Sequence, residues 1–313
     1  MPLISICIPA YKRTEFLKRL LESIVSQTFR DFEVIITDDS PTNDVGALCD
    51  SYQHKISISY FKNEQQLGTP ENWNEGLRKA KGKWIKLMHD DDWFSDENSL
   101  QFFADAIKAN PDCIFFFSAY RNIYLEERRE ENVFIEKHRY KMLLKNVFTL
   151  FSKNIIGPPS VTIHKNEGNI FYDKKMKWLV DIDFYMHYLQ REKMFYIDQI
   201  LINIGLSADQ VTKEVFRNRM VEIPESFRLF GKIGFGQLDN IYVYDAWWRL
   251  LRNLGIRSIN DIQESGYEKE IPSVINAMII FQKKISLPVL KIGVLSKFLM
   301  SLSFVKYKMK KKQ

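Results

Sequence analysis

Apolar and amphipathic segments alternate through the first third of the chain. Five short apolar runs, which the pattern predicts as strands, cover residues 3–9, 32–37, 56–61, 83–88 and 113–118. Between them, apolar residues recur at helical spacing in segments that begin near Thr14, at Asn43 or Asp44, at Glu71, and at Ser95 or Asp96. This alternation predicts an α/β fold with a mostly parallel sheet and helices on both faces.

The pattern changes after residue 119. A charge run over 126–131 indicates a solvated excursion. Helices are predicted over 145–152 and 178–189, and strands over 161–164 and 195–204. Helical patterns dominate from Lys213 onward. We therefore expect an α/β domain over residues 1–212 and a mostly helical C-terminal region over 213–313.

Three consecutive aspartates follow the fourth predicted strand. Asp90, Asp91 and Asp92 come directly after an apolar run, where buried charges need water, a cation or both. Adjacent carboxylates offer the hard oxygen ligands that suit Mg²⁺ or Mn²⁺ holding a diphosphate. The alternative is a solvated turn that caps the next helix, with Asp96 continuing its acidic start.

A second acidic pair, Asp38 and Asp39, ends the second predicted strand, and Pro9 and Tyr11 end the first. In a parallel sheet these ends share one edge, where ligands bind. We therefore expect a nucleoside pocket there. The chain has no G-x-G-x-x-G after its first strand and no G-x-x-x-x-G-K-[ST]. This argues against NAD-dependent oxidoreductases and P-loop NTPases, and leaves a metal to hold any phosphates.

The composition is that of a folded soluble protein, with 313 residues, 45% hydrophobic and 27% charged. Its three cysteines lack metal-ligand spacing, which indicates buried thiols in a reducing cytoplasm. The apolar start lacks a basic leader, so no signal peptide is expected. No apolar run approaches the length of a membrane span.

The net charge of +6 is concentrated at the C-terminus. From Lys283 onward the chain has nine lysines and no Asp or Glu, so the rest is mildly acidic. Lysines mixed with large apolar residues favour an anionic membrane surface over nucleic acid. The alternative is a C-terminal helix packed on the body with a frayed lysine end.

Four segments, in this order and at this spacing, resemble glycosyltransferase family 2. They are ICIPAYKR at 6–13, FEVIITDDS at 32–40, NWNEGL at 72–77 and GKWIKLMHDDD at 82–92. The resemblance is strong over residues 1–120 and thinner over 121–212. It implies a GT-A fold, with nucleotide-sugar binding in 1–120, the acceptor side in 121–212, and sugar transfer with inversion from a nucleotide donor.

The resemblance also implies roles for particular residues. The nucleotide-sugar-binding set comprises Pro9, Tyr11, Asp38, Asp39, Asn74, Asp90 and Asp92. Asp91 matches the aspartate that binds Mn²⁺ or Mg²⁺, and His89 stands at the first position of the family's D-x-D motif. Asp181 matches the catalytic base of an E-D motif whose Glu is Val180 here, and Asp183 is the reserve candidate. Each of the last two could instead be an exposed or capping carboxylate.

We expect a metal-dependent hexosyl- or N-acetylhexosaminyl-transferase with a UDP-sugar as the favoured donor. A lipid-linked glycan acceptor, bacterial surface polysaccharide synthesis and a peripheral position on the cytoplasmic membrane face follow by analogy. One alternative is a catalytically silent binding or scaffold subunit, since His89 and Val180 depart from the family pattern. A sugar-nucleotide pyrophosphorylase is a weaker one, because the segment after the first strand has no glycine.

Overall fold

The computed structural model describes residues 1–190, 192–207 and 215–311. Nine strands form one mixed sheet. In chain order they are β1 (Ile4–Ala10), β2 (Phe32–Asp38), β3 (Ile58–Lys62), β4 (Trp84–Leu87), β5 (Trp93–Phe94), β6 (Cys113–Tyr124), β7 (Arg129–Val133), β8 (Thr162–Lys165) and β9 (Lys193–Leu206).

The first four strands form a parallel block in the order β3-β2-β1-β4. The register pairs Ala10 with Asp38 and Cys7 with Leu87. These strands are apolar on both faces, as expected of a parallel sheet covered by helices. Ile6, Ile8 and Ile36 are fully buried. The predicted parallel α/β sheet is therefore confirmed for these four of the nine described strands.

Beyond β4 the sheet becomes mixed. β8 runs antiparallel to β4 and β6, β9 runs parallel to β6, and β5 runs antiparallel to β9. β5 has only two residues, which is too short for a sequence pattern to reveal.

The charge run at 126–131 is not simply a solvated excursion, so that prediction was wrong in part. Its second half enters β7, which pairs with β6 so that Arg129 lies opposite Tyr124. The Arg129 guanidinium lies 3.7 Å from the centre of the Tyr124 ring, and Tyr124 donates a hydrogen bond to Glu131. Cross-strand side-chain pairs of this kind let charged residues form an exposed strand.

The α-helices of the described residues follow the predicted positions closely in the first half. They are α1 (Thr14–Val25), α2 (Asp44–Tyr52), α3 (Glu71–Lys79), α4 (Ser99–Ala109), α5 (Lys137–Lys145), α6 (Val180–Leu189), α7 (Arg219–Ile233), α8 (Ile241–Asn253), α9 (Ile259–Glu264), α10 (Ser273–Lys283), α11 (Leu287–Lys291) and α12 (Gly293–Lys311). The helix predicted over 145–152 is a short 3₁₀ segment, Val147–Phe151. Further 3₁₀ turns lie at Pro159–Val161 and Phe235–Asp239.

The described residues form two compact units that are not contiguous in sequence. The first comprises residues 1–145, 155–174, 183–190 and 192–207, and its core includes the buried Phe115, Phe116 and Phe117. The second comprises 146–154, 175–182 and 215–311, and its core is built around Trp247 and Trp248. The domain boundary predicted between residues 212 and 213 lies outside the described residues and stays a prediction.

Candidate active site

The acidic residues follow strands that are hydrogen-bonded neighbours. Asp38 ends β2 and lies opposite Ala10 at the end of β1. The backbone continues past β4 beside β1, where the Met88 amide donates to the Cys7 carbonyl at 2.9 Å. Both acidic clusters therefore lie at the carboxyl edge of the parallel block, the edge at which such sheets bind ligands.

Asp38 is fully buried and its carboxylate is well satisfied. It accepts hydrogen bonds from the Ser40 amide at 2.7 Å, the Tyr60 hydroxyl at 2.7 Å and the Lys62 ammonium at 3.0 Å. Burial, and then the hydrogen bond to Asp38, raise the pKa of Tyr60. Asp38 thereby ties the end of β3 to the turn after β2.

Asp39 holds the loop that precedes α3. Its carboxylate accepts from the Asn63 side-chain amide at 2.7 Å, the Leu67 amide at 3.1 Å and the Gly68 amide at 2.8 Å. Because charge-assisted hydrogen bonds to a carboxylate are among the strong ones, this contact fixes the loop.

Asp90, Asp91 and Asp92 are all buried. The Arg13 guanidinium bridges the first two, donating to Asp90 Oδ1 at 2.5 Å and to Asp91 Oδ2 at 3.0 Å. Asp92 accepts a hydrogen bond from the Gly205 amide at 3.1 Å. The triplet is therefore a buried, partly compensated cluster and not the solvated turn of the alternative interpretation.

Burial dominates the protonation of this cluster. It raises the pKa of Asp90 to about 7, although Arg13 opposes the rise. It also raises the pKa of Asp92 well above the usual range, with the neighbouring charge of Asp91 adding to the effect. Carboxylates that burial leaves under-compensated gain stability from a cation.

His89 completes a possible metal site with Asp91 and Asp92. One donor atom from each of the three residues lies within 4.8 Å of the others. Burial lowers the pKa of His89 to about 4, so its ring is neutral at pH 7 and offers a lone pair. Its buried Nε2 has no hydrogen-bond partner among the described residues. Neutral imidazole and two carboxylates form a donor set that suits Mn²⁺, so the residues present fit the expected metal.

Gly205 on β9 is required by the close approach of two backbones. A Cβ at this position would lie 2.3 Å from the Asp91 carbonyl oxygen. Any side chain would therefore push β9 away from the aspartate cluster. The same glycine supplies the amide that binds Asp92, so β9 directly supports the acidic site.

The remaining residues predicted to bind the nucleotide sugar differ in exposure. Pro9 lies near the end of β1, and the ring of Tyr11 is exposed immediately after it. Asn74 is buried on α3, where its side-chain amide donates to Glu71 and to the Tyr172 carbonyl and accepts from the Tyr172 amide. These contacts fix the segment around Tyr172, and the predicted role of Asn74 in binding stays a prediction.

The two candidate bases lie on α6. Asp181 is in its first turn, and burial raises the pKa of its carboxyl group to about 7. Its buried Oδ1 has no hydrogen-bond partner within the described part of the chain. Asp183 is also buried. A carboxylate with a pKa near 7 is matched to general-base work at neutral pH.

Sequence patterns did not reveal three residues that shape these sites. Arg13 supplies positive charge to the aspartate triplet, and the fully buried Lys86 opposes the rise in the pKa of Asp92, although burial lowers the pKa of Lys86 itself. Glu225 on α7 accepts hydrogen bonds from the amides of Lys177, Trp178 and Leu179, at 2.7, 2.9 and 2.8 Å. It thus anchors the segment that leads into Asp181. Arg13 and Glu225 act across long sequence separations, 77 residues for Arg13 and Asp90 and 47 for Glu225 and Trp178, which no local pattern records.

The sequence of this chain matches the model of one protein family. The model named "Glycosyl transferase family 2" matches residues 5–163, about half of the chain. The chain belongs to this family. The predicted membership is therefore confirmed, and with it a glycosyltransferase function that uses a nucleotide sugar.

Three known proteins are similar to this chain, one in sequence and two in structure. A GalNAc(5)-diNAcBac-PP-undecaprenol beta-1,3-glucosyltransferase of Campylobacter jejuni is 33% identical over 94 residues, which is 29% of this chain and 30% of that protein. S. aureus TarS 1-349 in complex with UDP-GlcNAc has a TM-score of 0.62 at 14% identity, covering 98% of this chain and 92% of that one.

The mannosyltransferase PcManGT from Pyrobaculum calidifontis, solved with GDP-Man and Mn2+, has a TM-score of 0.55 at 11% identity. The match covers all of this chain and 88% of PcManGT. At these identities the two solved structures show the fold alone, and they confirm the predicted GT-A-type α/β domain followed by helices.

Proposed function

We propose that this protein is an inverting, metal-dependent glycosyltransferase. It would move a hexosyl or N-acetylhexosaminyl group from a nucleotide-diphosphate sugar, with a UDP-sugar favoured, to a glycan acceptor. The observation that carries the proposal is the His89–Asp91–Asp92 cluster, with its two buried aspartates, at the carboxyl edge of the family 2 domain. The UDP-GlcNAc bound to TarS and the Mn2+ bound to PcManGT support the donor class and the metal.

In this proposal the residues divide the chemistry between them. His89, Asp91 and Asp92 would hold Mn²⁺ or Mg²⁺, which when bound neutralises charge on the leaving diphosphate. Asp181 takes the proton from the acceptor hydroxyl as that oxygen attacks the anomeric carbon from the face opposite the diphosphate. Because attack and departure occur on opposite faces, the configuration at the anomeric carbon inverts, and one carboxylate suffices.

A panel of sugar nucleotides tests the proposal. We expect one nucleotide sugar to raise the melting temperature in Mn²⁺ and not in EDTA. We also expect the full-length protein to hydrolyse that donor slowly in the absence of acceptor. A chain that binds the donor but never releases its sugar would instead be the silent subunit. A chain that binds no sugar nucleotide would contradict both.

We further propose that the acceptor is lipid-linked, within bacterial surface polysaccharide synthesis at the inner face of the cell membrane. The undecaprenol-linked substrate in the name of the Campylobacter relative supports this setting. Among the described residues, no helix combines the length and hydropathy needed to cross a bilayer. The exposed surface of α12 is our candidate for the contact with that membrane.

One face of α12 packs within its own unit through two serines and a methionine. Ser296, Met300 and Ser303 are buried. The Trp248 indole donates to Ser296 at 3.1 Å, and the hydroxyls of Tyr244 and Ser303 lie 2.8 Å apart. This half of α12 agrees with the alternative interpretation of the tail as a packed helix.

The opposite face of α12 carries an exposed apolar stripe. Five large side chains, 42–86% exposed, follow one another at spacings of three or four residues: Val294, Phe298, Leu302, Val305 and Met309. At 100° per residue, Lys297 and Lys308 lie on one flank of this stripe and Lys306 on the other. Apolar side chains between lysines match an anionic lipid surface. The tail can therefore pack and bind a membrane at once.

Co-sedimentation with anionic and neutral liposomes tests the stripe. Phe298→Ser with Leu302→Ser should reduce binding to anionic liposomes and leave the melting temperature nearly unchanged, because both side chains are exposed. Ile280→Ser, which removes an exposed apolar side chain from α10, is the matched control. Unchanged liposome binding by the double variant would contradict the membrane proposal.

A further inference from the structure

Arg13 is the cation nearest the aspartate triplet in the described chain. It lies between β1 and α1, and its guanidinium donates separate hydrogen bonds to Asp90 and Asp91. The two carboxylates are nearly buried, with 5% and 11% of their side chains exposed, whereas 37% of the Arg13 side chain is exposed. The arginine therefore reaches these carboxylates from the solvent side.

Asp91 belongs to two arrangements at once. Its carboxylate is one of the donors in the candidate His89–Asp91–Asp92 metal site, and its Oδ2 accepts the hydrogen bond from Arg13. A guanidinium and a divalent cation on one carboxylate repel each other, and the repulsion is strong because the site is shielded from water. Full occupancy by both is therefore unfavourable.

We propose that Arg13 competes with the divalent cation for Asp91, so that metal binding releases the Arg13 guanidinium from the triplet. The exposed side chain of Arg13 gives it room to move away. The inference rests on the proposed metal site and adds to it a residue, Arg13, that occupies Asp91 until the metal binds. Once released, the guanidinium is available to a diphosphate, which it can bind through paired N–H groups.

Mn²⁺ titration by calorimetry tests the competition. Arg13→Gln removes the guanidinium that binds Asp90 and Asp91, so the full-length variant should bind Mn²⁺ about tenfold more tightly than the wild type. That factor corresponds to the smallest shift that an adjacent opposite charge usually causes in a carboxyl group. Arg13→Lys keeps the charge but lacks the planar fork of donors with which the guanidinium binds both carboxylates, so its affinity should lie between the two.

Arg78 provides a matched control. Its guanidinium also pairs with two carboxylates, Glu71 and Glu75, and 40% of its side chain is exposed. Arg78→Gln should leave the Mn²⁺ affinity unchanged. Equal or weaker Mn²⁺ binding by Arg13→Gln would overturn the inference while leaving the metal site in place. Absence of Mn²⁺ binding by every variant and by the wild type would overturn both.

Chemical modification of the wild-type protein covers the case in which a variant fails to fold. Phenylglyoxal reacts with accessible guanidinium groups. Addition of Mn²⁺ should accelerate modification of Arg13 severalfold, as followed by mass spectrometry of its peptide, and should leave the rate at Arg78 unchanged. An unchanged or slower rate at Arg13 at saturating Mn²⁺ would overturn the inference.

Discussion

The two acidic clusters at the edge of the sheet are satisfied in different ways. Asp38 and Asp39 each accept hydrogen bonds from three protein donors that belong to the surrounding loops and to β3. Asp90 and Asp92 are equally buried, but burial outweighs their partners and raises their pKa values. Aspartates that follow neighbouring strands of one sheet thus differ in how well the surrounding protein compensates their negative charge.

This difference distinguishes carboxylates that stabilise the site from carboxylates that act in its chemistry. Carboxylates whose charge is met by fixed donors stabilise the loops that supply those donors. Carboxylates left short of compensation favour a cation. Asp181 represents a third case, since burial alone raises the pKa of its carboxyl group. A group of that kind is suited to accept a proton rather than a metal.

The largest effect should come from Asp181→Asn. An amide cannot take the acceptor proton, so turnover should fall by about 10²–10⁴-fold, the usual scale for loss of a general base. Donor binding should persist, because the proposed base acts on the acceptor. Steady-state transfer assays, together with calorimetric donor binding, check both points. Loss of turnover in Asp183→Asn but not in Asp181→Asn would transfer the role to the reserve candidate.

Asp38→Asn should affect stability instead. It removes a buried charge that holds the Tyr60 hydroxyl and the Lys62 ammonium, and hydrogen bonds to charged groups contribute about 1.5–3 kcal/mol. We expect the free energy of unfolding in urea to fall by about that amount, while the exposed control Asp50→Asn changes little. A variant with wild-type stability and no nucleotide binding would mean that Asp38 contacts the ligand. It would contradict the assignment of Asp38 as a residue that stabilises the loops.

The pH profile of transfer provides a smaller test. Because burial raises the pKa of Asp181 to about 7, the carboxyl group is protonated below that pH and cannot act as a base. The value of kcat/KM should therefore fall about tenfold per pH unit below 7 and level off above it. An acid limb centred near pH 4 would show that a carboxylate with an ordinary pKa is the base.

Sequence patterns located the strand ends because each is a short apolar run followed by carboxylates. The pattern predicts Asp38 and Asp91 at one edge of the sheet for that reason, and in the structure the strands that precede them, β2 and β4, both pair with β1. The pattern of α12 was harder to interpret. Its buried and exposed faces are both partly apolar, so hydrophobicity alone does not distinguish the packed face from the free one.

Long-range partners had no sequence signal. Arg13 meets Asp90 across 77 residues, and Glu225 meets the Trp178 amide across 47. Neither pair falls within one helix or strand, so neither creates a periodicity. The unusual protonation of Asp90 and Asp181 was likewise hidden, because burial of a carboxyl group depends on the tertiary packing around it.

The central claim is that Asp91 makes nucleotide binding depend on a metal. Calorimetric titration of UDP into the wild type and into Asp91→Asn, each in Mn²⁺ and in EDTA, tests it most directly. The wild type should bind UDP more tightly in Mn²⁺ than in EDTA. Asp91→Asn should bind weakly and equally in both while keeping a wild-type melting temperature. A variant that retains wild-type UDP affinity and the full difference between Mn²⁺ and EDTA would contradict the account.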